Sequence, residues 1–148
     1  MLRSRRNRVT ANVADSVNRR IRLDTDERVA YLALNRDLIP ARLRELDREW
    51  DIERAIEANA SVLAFTGLVL TVTRGLRWLV LPIAVTSFLF QHAIQGWCPP
   101  VPILRRLGFR TASEIEEERM ALKALRGDFS GMEDAQGAGT RAINAARA

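Results

Sequence analysis

Charged side chains punctuate this chain everywhere except in two places. None falls among the 16 residues between Glu57 and Arg74, and none among the 27 between Arg77 and Arg105. A helix on a soluble protein carries its apolar residues along a stripe and meets a charge every turn or two. Segregation of this kind predicts two helices set in lipid, the plain alternative being two core helices of a soluble helical protein. The polar sequence around the two runs is too sparse to cover them, which favours lipid.

The first run, Ala58 to Thr73, is short: as a helix it covers about 24 Å, below the roughly 20 residues of a comfortable crossing. Arg54 and Arg74 can extend it by snorkelling toward headgroups. The second run is longer. Trp78 and Trp97 lie 19 residues apart, with His92 the one ionisable residue between them. That separation is about 28 Å along a helix, close to a hydrocarbon core of about 30 Å with an aromatic at each interface. Trp50 is a third candidate interfacial anchor. The link Arg74-Gly75-Leu76-Arg77 allows only an antiparallel pair. The expected architecture is therefore all-α, with a two-helix transmembrane hairpin over residues 58–98 and spans at about 55–73 and 77–97.

Flanking segments read as follows. Residues 1–38 form a basic tail, partly disordered, in which Val9, Val13, Val17 and Ile21 at i, i+4 spacing offer a weak interfacial helix as the alternative. Residues 39–57 predict an amphipathic interfacial helix, with Pro40 in its first turn and Leu43, Leu46 and Trp50 on one face; Leu43 to Thr73 is readable as one continuous helix. Pro99, Pro100 and Pro102 stop the second span. Residues 99–129 then form a cytoplasmic segment with a helix at 112–126, opened by Thr111 and Glu114 as a capping box and closed by Gly127. Ile115, Leu122, Leu125 and Phe129 give that helix an apolar face, and the run Glu114, Glu116, Glu117, Glu118 is its solvated one. Residues 130–148, rich in Gly and Ala, are expected to be disordered.

Composition adds little by itself: 47% of residues are apolar and mean hydropathy is −0.12, values an ordinary soluble domain could have. Charge adds more. Residues 1–23 hold seven arginines and one acid, so the whole net charge of +5 originates there. A basic tail suits an anionic partner, either the headgroups of a cytoplasmic leaflet or nucleic acid. No nucleic-acid fold accompanies it, and headgroups are the better partner. Arg54, Arg74, Arg77, Arg105 and Arg106 are the expected headgroup ligands. Counting Arg44, Arg48, Arg54, Arg105, Arg106 and Arg110 against Arg74 and Arg77 puts both termini in the cytoplasm. The first 25 residues lack the apolar stretch of a secretory signal.

Candidate chemistry is confined to the end of the second span. Gln91, Gln95 and Cys98 at i, i+4, i+7 share a helix face with His92 beside them, a polar membrane-exit face. One reading is a thiol, tuned by His92, that serves sulfur transfer or redox chemistry. The plainer reading is hydrogen bonding to the first helix or to headgroups. One Cys and one His cannot complete a zinc shell, no phosphate loop or nucleophile elbow is present, and no metal or cofactor is expected. Cys98 and His92 are weak catalytic candidates, and the chain reads as non-enzymatic.

The charged lead-in, the two short spans and the exit Gly96-Trp97-Cys98-Pro99 resemble the YgaP-like inner-membrane domain, a small two-helix domain of unknown function found alone or fused to a rhodanese sulfurtransferase. The resemblance covers roughly Trp50 to Arg110, with Gln91-His92-Ala93 and Leu107-Gly108 adding to it. Pro100 departs from the family pattern, which tends to carry a small or aliphatic residue there. The chain has neither a rhodanese domain nor a second cysteine. The resemblance implies an inner-membrane location and a helical hairpin, and transfers no sulfurtransferase activity. Ala60, Ala64 and Gly67 offer a small-residue face for close packing, so a second copy or another membrane protein is an expected partner.

Overall fold

The computed structural model describes residues 9–129; the first four arginines and the 130–148 tail lie outside the described residues. Among those described, the chain is all-helical and contains no strand. Six helices follow in order: α1 Asp15–Leu34, α2 Ile39–Leu46, α3 Ile52–Arg74, α4 Val80–Gln95, α5 Pro100–Arg106 and α6 Ala112–Arg126. The described residues divide into two compact units, one formed by 9–22 with 50–113, the other by 23–49 with 114–129.

The first unit is built on α3 and α4. Asp51 sits in extended backbone, and its carboxylate accepts a hydrogen bond from the Arg54 backbone N–H at 2.6 Å. This side chain satisfies one of the orphan donors of the first turn, and Glu53 complements the positive end of the helix dipole. The same cap ends the expectation of one continuous helix from Leu43 to Thr73. Residues 47–51 belong to neither helix, and Asp51, as the cap, has itself left the helical conformation. The amphipathic lead-in is accordingly shorter than 39–57 and stops at Leu46.

Arg74 closes α3, and Gly75, at φ +109°, supplies a backbone turn that an L side chain resists. A 3-10 turn, Leu76–Leu79, leads into α4, where Pro82 stands early enough that its missing N–H costs little. The two helices then pack closely at Gly67. A Cβ placed there would meet Pro82 Cδ at 2.6 Å and Leu81 Cβ at 3.1 Å. The small-residue face expected to serve a partner is therefore used, at Gly67, inside the chain. Gly67→Ala should gain up to about 1 kcal/mol of helix propensity and lose about 1–3 kcal/mol to overpacking, for a net loss. Unfolding by a denaturing-detergent titration should show that loss, and an unchanged midpoint would mean that the helices separate at Gly67 without cost.

Gly96 terminates α4 in the left-handed region at φ +73°, its N–H reaching the His92 carbonyl at 2.7 Å. The prolines expected to stop this helix come after its end and serve the next one instead: Pro100 and Pro102 stand in the first turn of α5, where the first N–H groups have no helical partner to lose. A small core joins these parts, with Val9, Ile52, Ile56, Cys98 and Val101 buried and Leu89, Leu104 and Phe109 packed on it.

The stretch assigned to a basic tail contains α1, 20 residues long. Its narrow valine stripe gave a weak signal. It nevertheless marks the inward face, since Val9 and Ile21 are buried and Val13 and Val17 half-buried; the burial of Asn18 beside it is what the periodicity does not announce.

In the second unit Leu32, Ile39, Leu43, Leu46, Ile115 and Leu122 form a core with Val29 and Leu125. Gly127 closes α6 at φ +91°, with the Gly127 and Asp128 N–H groups on the Lys123 carbonyl, both at 3.1 Å. Glu118 corrects the solvated-face reading of the acidic run. It is 0% exposed. Its carboxylate accepts from Arg28 Nη1 at 3.1 Å and from Arg42 Nε and Nη2 at 2.8 and 3.2 Å. Burial alone would disfavour the Arg42 charge, yet hydrogen bonds from Glu118 and Glu45 and attraction from Glu118 and Glu49 outweigh it, so the Arg42 pKa is raised.

Candidate functional site

The first unit presents an apolar surface along α3 and α4. Val62, Phe65 and Val72 on α3 are 64%, 69% and 87% exposed, and Val80, Ile83 and Phe90 on α4 are 68%, 56% and 69% exposed. Two helical segments, Ile52–Arg74 and Leu76–Gln95, are long and apolar enough to cross a membrane, with 11% and 6% of their most apolar stretches buried within the chain. A core helix of a soluble protein shows the opposite, burying most of such a stretch.

Serine and threonine hydroxyls within this surface are satisfied locally. The hydroxyls of Ser61, Thr66, Thr71 and Thr73 donate to carbonyls four residues earlier, at 2.7–2.8 Å. Thr86 and Ser87 do the same on α4, at 2.7 and 2.8 Å. Each hydroxyl is thereby removed from the desolvation cost of about 1–3 kcal/mol it would carry in an apolar medium.

Charge and aromatic rings gather at the ends of the two segments. Arg74 and Arg77 are exposed in the link, as is Trp78. At the other end Arg54 stacks over the Trp50 ring, 4.5 Å from its centroid, and Trp97 is half-buried. Arg106 is exposed.

Arg105 is a correction. It was expected at the headgroups and is instead 1% exposed. Its Nη2 donates to Asn18 Oδ1 at 2.8 Å and its Nη1 to the Phe109 carbonyl at 3.2 Å. Arg110 is also buried. The sequence gives no sign of which member of Arg105-Arg106 turns inward, because that depends on the phase of a helix as short as α5.

The polar exit face is also altered. Gln91 Nε2 and Gln95 Oε1 stand 3.5 Å apart on one face, and the Gln95 carbonyl accepts from Asn12 Nδ2 at 3.1 Å. Cys98 does not share that face. The helix ends at Gln95, the left-handed Gly96 redirects the chain, and Cys98 enters the core beside Ile52 and Val101, 2% exposed. His92 lies instead across a cleft of about 500 Å³ from Glu53, Glu57 and Ser61 of α3, with Val9 and Gly96 on its rim. The i, i+4, i+8 spacing of those three α3 residues is readable as a polar stripe running into the first apolar run. A second cavity of about 220 Å³ is almost wholly apolar, with Leu63, Val85 and Phe88 against Cys98 and Pro99.

Burial pushes the Cys98 thiol above its ordinary pKa, only partly offset by the hydrogen bond from the Val101 backbone. Alkylation at pH 8 should be at least tenfold slower than for an exposed cysteine and should reach the ordinary rate after unfolding; equal rates in the two states would contradict the burial. The same shift fixes a sign. Below the ordinary thiol pKa both folded and unfolded chains hold the proton; above it the unfolded chain ionises first, so stability declines as pH rises.

Among the described residues no three His, Cys, Asp or Glu side chains converge as metal ligands. Compared with protein-family models, with curated proteins and with solved structures, the chain matches none of them.

Proposed function

We propose that this chain is an integral membrane protein in which α3 and the Leu76–Gln95 segment cross the bilayer as an antiparallel hairpin, serving as a non-enzymatic anchor or contact. The observation that carries the reading is the outward apolar surface. Val62, Phe65, Val69, Val72, Leu76, Val80, Ile83, Phe88, Phe90 and Ile94 are all at least 44% exposed. Leaving each in water forgoes on the order of 1 kcal/mol or more. The sum, on the order of 10 kcal/mol, rivals the whole net stability of a domain. In lipid that cost vanishes.

Lengths agree with the reading: 23 and 20 residues correspond to about 34 and 30 Å of helix, against a core of about 30 Å. Two crossings put both ends of the chain on one side. With Arg105 and Arg110 turned inward, Arg44, Arg48, Arg54 and Arg106 still outnumber Arg74 and Arg77, which favours a cytoplasmic location for both ends and an inner-membrane setting. The resemblance to the YgaP-like inner-membrane domain belongs to this proposal. Its Gly96-Trp97-Cys98-Pro99 element acquires a structural rationale, since Gly96 ends the helix and Cys98 is seated in the core.

The alternative, sulfur-transfer or redox chemistry at Cys98, is disfavoured by the burial of the thiol and its raised pKa. Fractionation decides the main claim. Retention through carbonate and high-salt washes, with reporters at both ends on the cytoplasmic side, is the expected result. Release by salt alone would mean that arginines hold the protein at a surface, and recovery with nucleic acid in the soluble fraction would favour a basic binding protein.

A further inference from the structure

α5 has two sides of opposite character. Val101 and Arg105, four residues apart, are 0% and 1% exposed, whereas Ile103 and Leu107, also four residues apart, are 62% and 71% exposed with Arg106 exposed between them. This outer edge is held in place: Arg105 bonds to Asn18 and to the Phe109 carbonyl, and the Ile52 N–H donates to the Arg110 carbonyl at 2.9 Å. Two large aliphatic side chains stacked one turn apart on a fixed, solvent-facing edge are costly in water.

Their level along the hairpin follows from the core beneath them. Val101 packs with Ile52 and Ile56, the first two turns of α3. α3 is about 34 Å long, a few ångströms more than the hydrocarbon core, and Glu53 and Glu57 keep its first turns out of hydrocarbon. Headgroup layers add about 5–7 Å on each side. Ile52 to Ile56, and therefore α5, fall in that layer. A short helix lying there with aliphatic residues pointing outward and an arginine beside them has the composition of an interfacial element.

We propose that α5 lies in the headgroup layer of one leaflet, with Ile103 and Leu107 at the acyl boundary and Arg106 on the phosphates of anionic phospholipid. The proposal rests on the membrane reading above. Lipid is favoured over a protein partner because two side chains fall far short of the roughly 800 Å² per partner that a stable protein interface buries, whereas lipid needs no minimum area and, on the membrane reading, already surrounds the hairpin at this level.

The test uses the full chain reconstituted in phosphatidylcholine vesicles with and without phosphatidylglycerol. Nitroxides at Ile103→Cys and Leu107→Cys, in a Cys98→Ser background, should collide more often with oxygen than with a water-soluble nickel chelate. In the chain with native Cys98, spin-labelled phosphatidylglycerol should be preferred over phosphatidylcholine at the protein surface, and Arg106→Gln should cut that preference about fivefold, the equivalent of about 1 kcal/mol. Ile103→Asp with Leu107→Asp should reduce the restricted lipid population of either kind. Nickel collisions at the level of a label in water, or a preference untouched by these substitutions, would overturn the proposal. Shielding from both relaxers would point to a protein cover and overturn it too. Carbonate retention keeps the two claims apart: loss of retention sinks the membrane reading, while retention with a water-exposed α5 sinks this inference alone.

Discussion

Arg105→Ala should cost about 3–5 kcal/mol of stability in the first unit, while Arg106→Ala, one residue away, should fall within about 0.5 kcal/mol of the parent. Two terms add up in the first case. Asn18, 5% exposed, loses the donor to its Oδ1, which was 2.8 Å away, and an unsatisfied buried acceptor costs about 1–3 kcal/mol. The removed side chain, 1% exposed, also leaves a void, and such voids cost a further few kcal/mol when the surroundings cannot collapse. Arg105→Lys should fall between the two, since one ammonium cannot reproduce a planar fork aimed at both Asn18 and the Phe109 carbonyl. Thermal unfolding of the three variants in mild detergent would reveal the order. Equal midpoints for Arg105→Ala and Arg106→Ala would show that the inward arginine is not structural.

Glu118→Ala should cost about 2–4 kcal/mol in the second unit, because it removes the carboxylate that Arg28 and Arg42 share, although Arg42 keeps Glu45 and Glu49 and Arg28 is partly solvated. Local probes are the right measurement, since the units need not open together. Hydrogen exchange should accelerate throughout α6 and leave the middle of α3 unchanged. A paired replacement, Glu118→Leu with Arg42→Met, should recover part of the loss, as a buried charge cluster replaced by apolar residues of similar volume is often near neutral. If the paired variant were as unstable as Glu118→Ala, packing rather than charge would be responsible.

How much of this was legible beforehand depends on the kind of signal each residue gives. The two apolar runs were plain, because a long uncharged stretch is a property of sequence and needs no partner to be seen. Gly127, Asp51 and Gly96 act at helix ends through local backbone chemistry that residue type announces. What stayed hidden was pairing at a distance. Asn18 and Arg105 are 87 positions apart and Arg42 and Glu118 are 76 apart, and nothing in the neighbourhood of either member marks it for burial. A charged residue on a helix is usually solvated, so Glu118 among four acids and Arg105 beside Arg106 read as surface. Cys98 failed for a third reason: extending helical spacing past Gln95 ignored the glycine that ends the helix.

The serine and threonine hydroxyls of α3 and α4 bear on how the apolar character of a short helix is scored. A scale that scores residues one at a time charges each of these six positions for a polar group. The surrounding medium meets something different, because every one of the hydroxyls is already folded back onto its own helix. Insertion machinery that samples a formed helix rather than an extended chain would therefore register α3 as greasier than its letters suggest. Thr66→Val and Thr73→Val would barely alter its partitioning, and hydropathy tables would place it nearer the threshold of insertion than it stands.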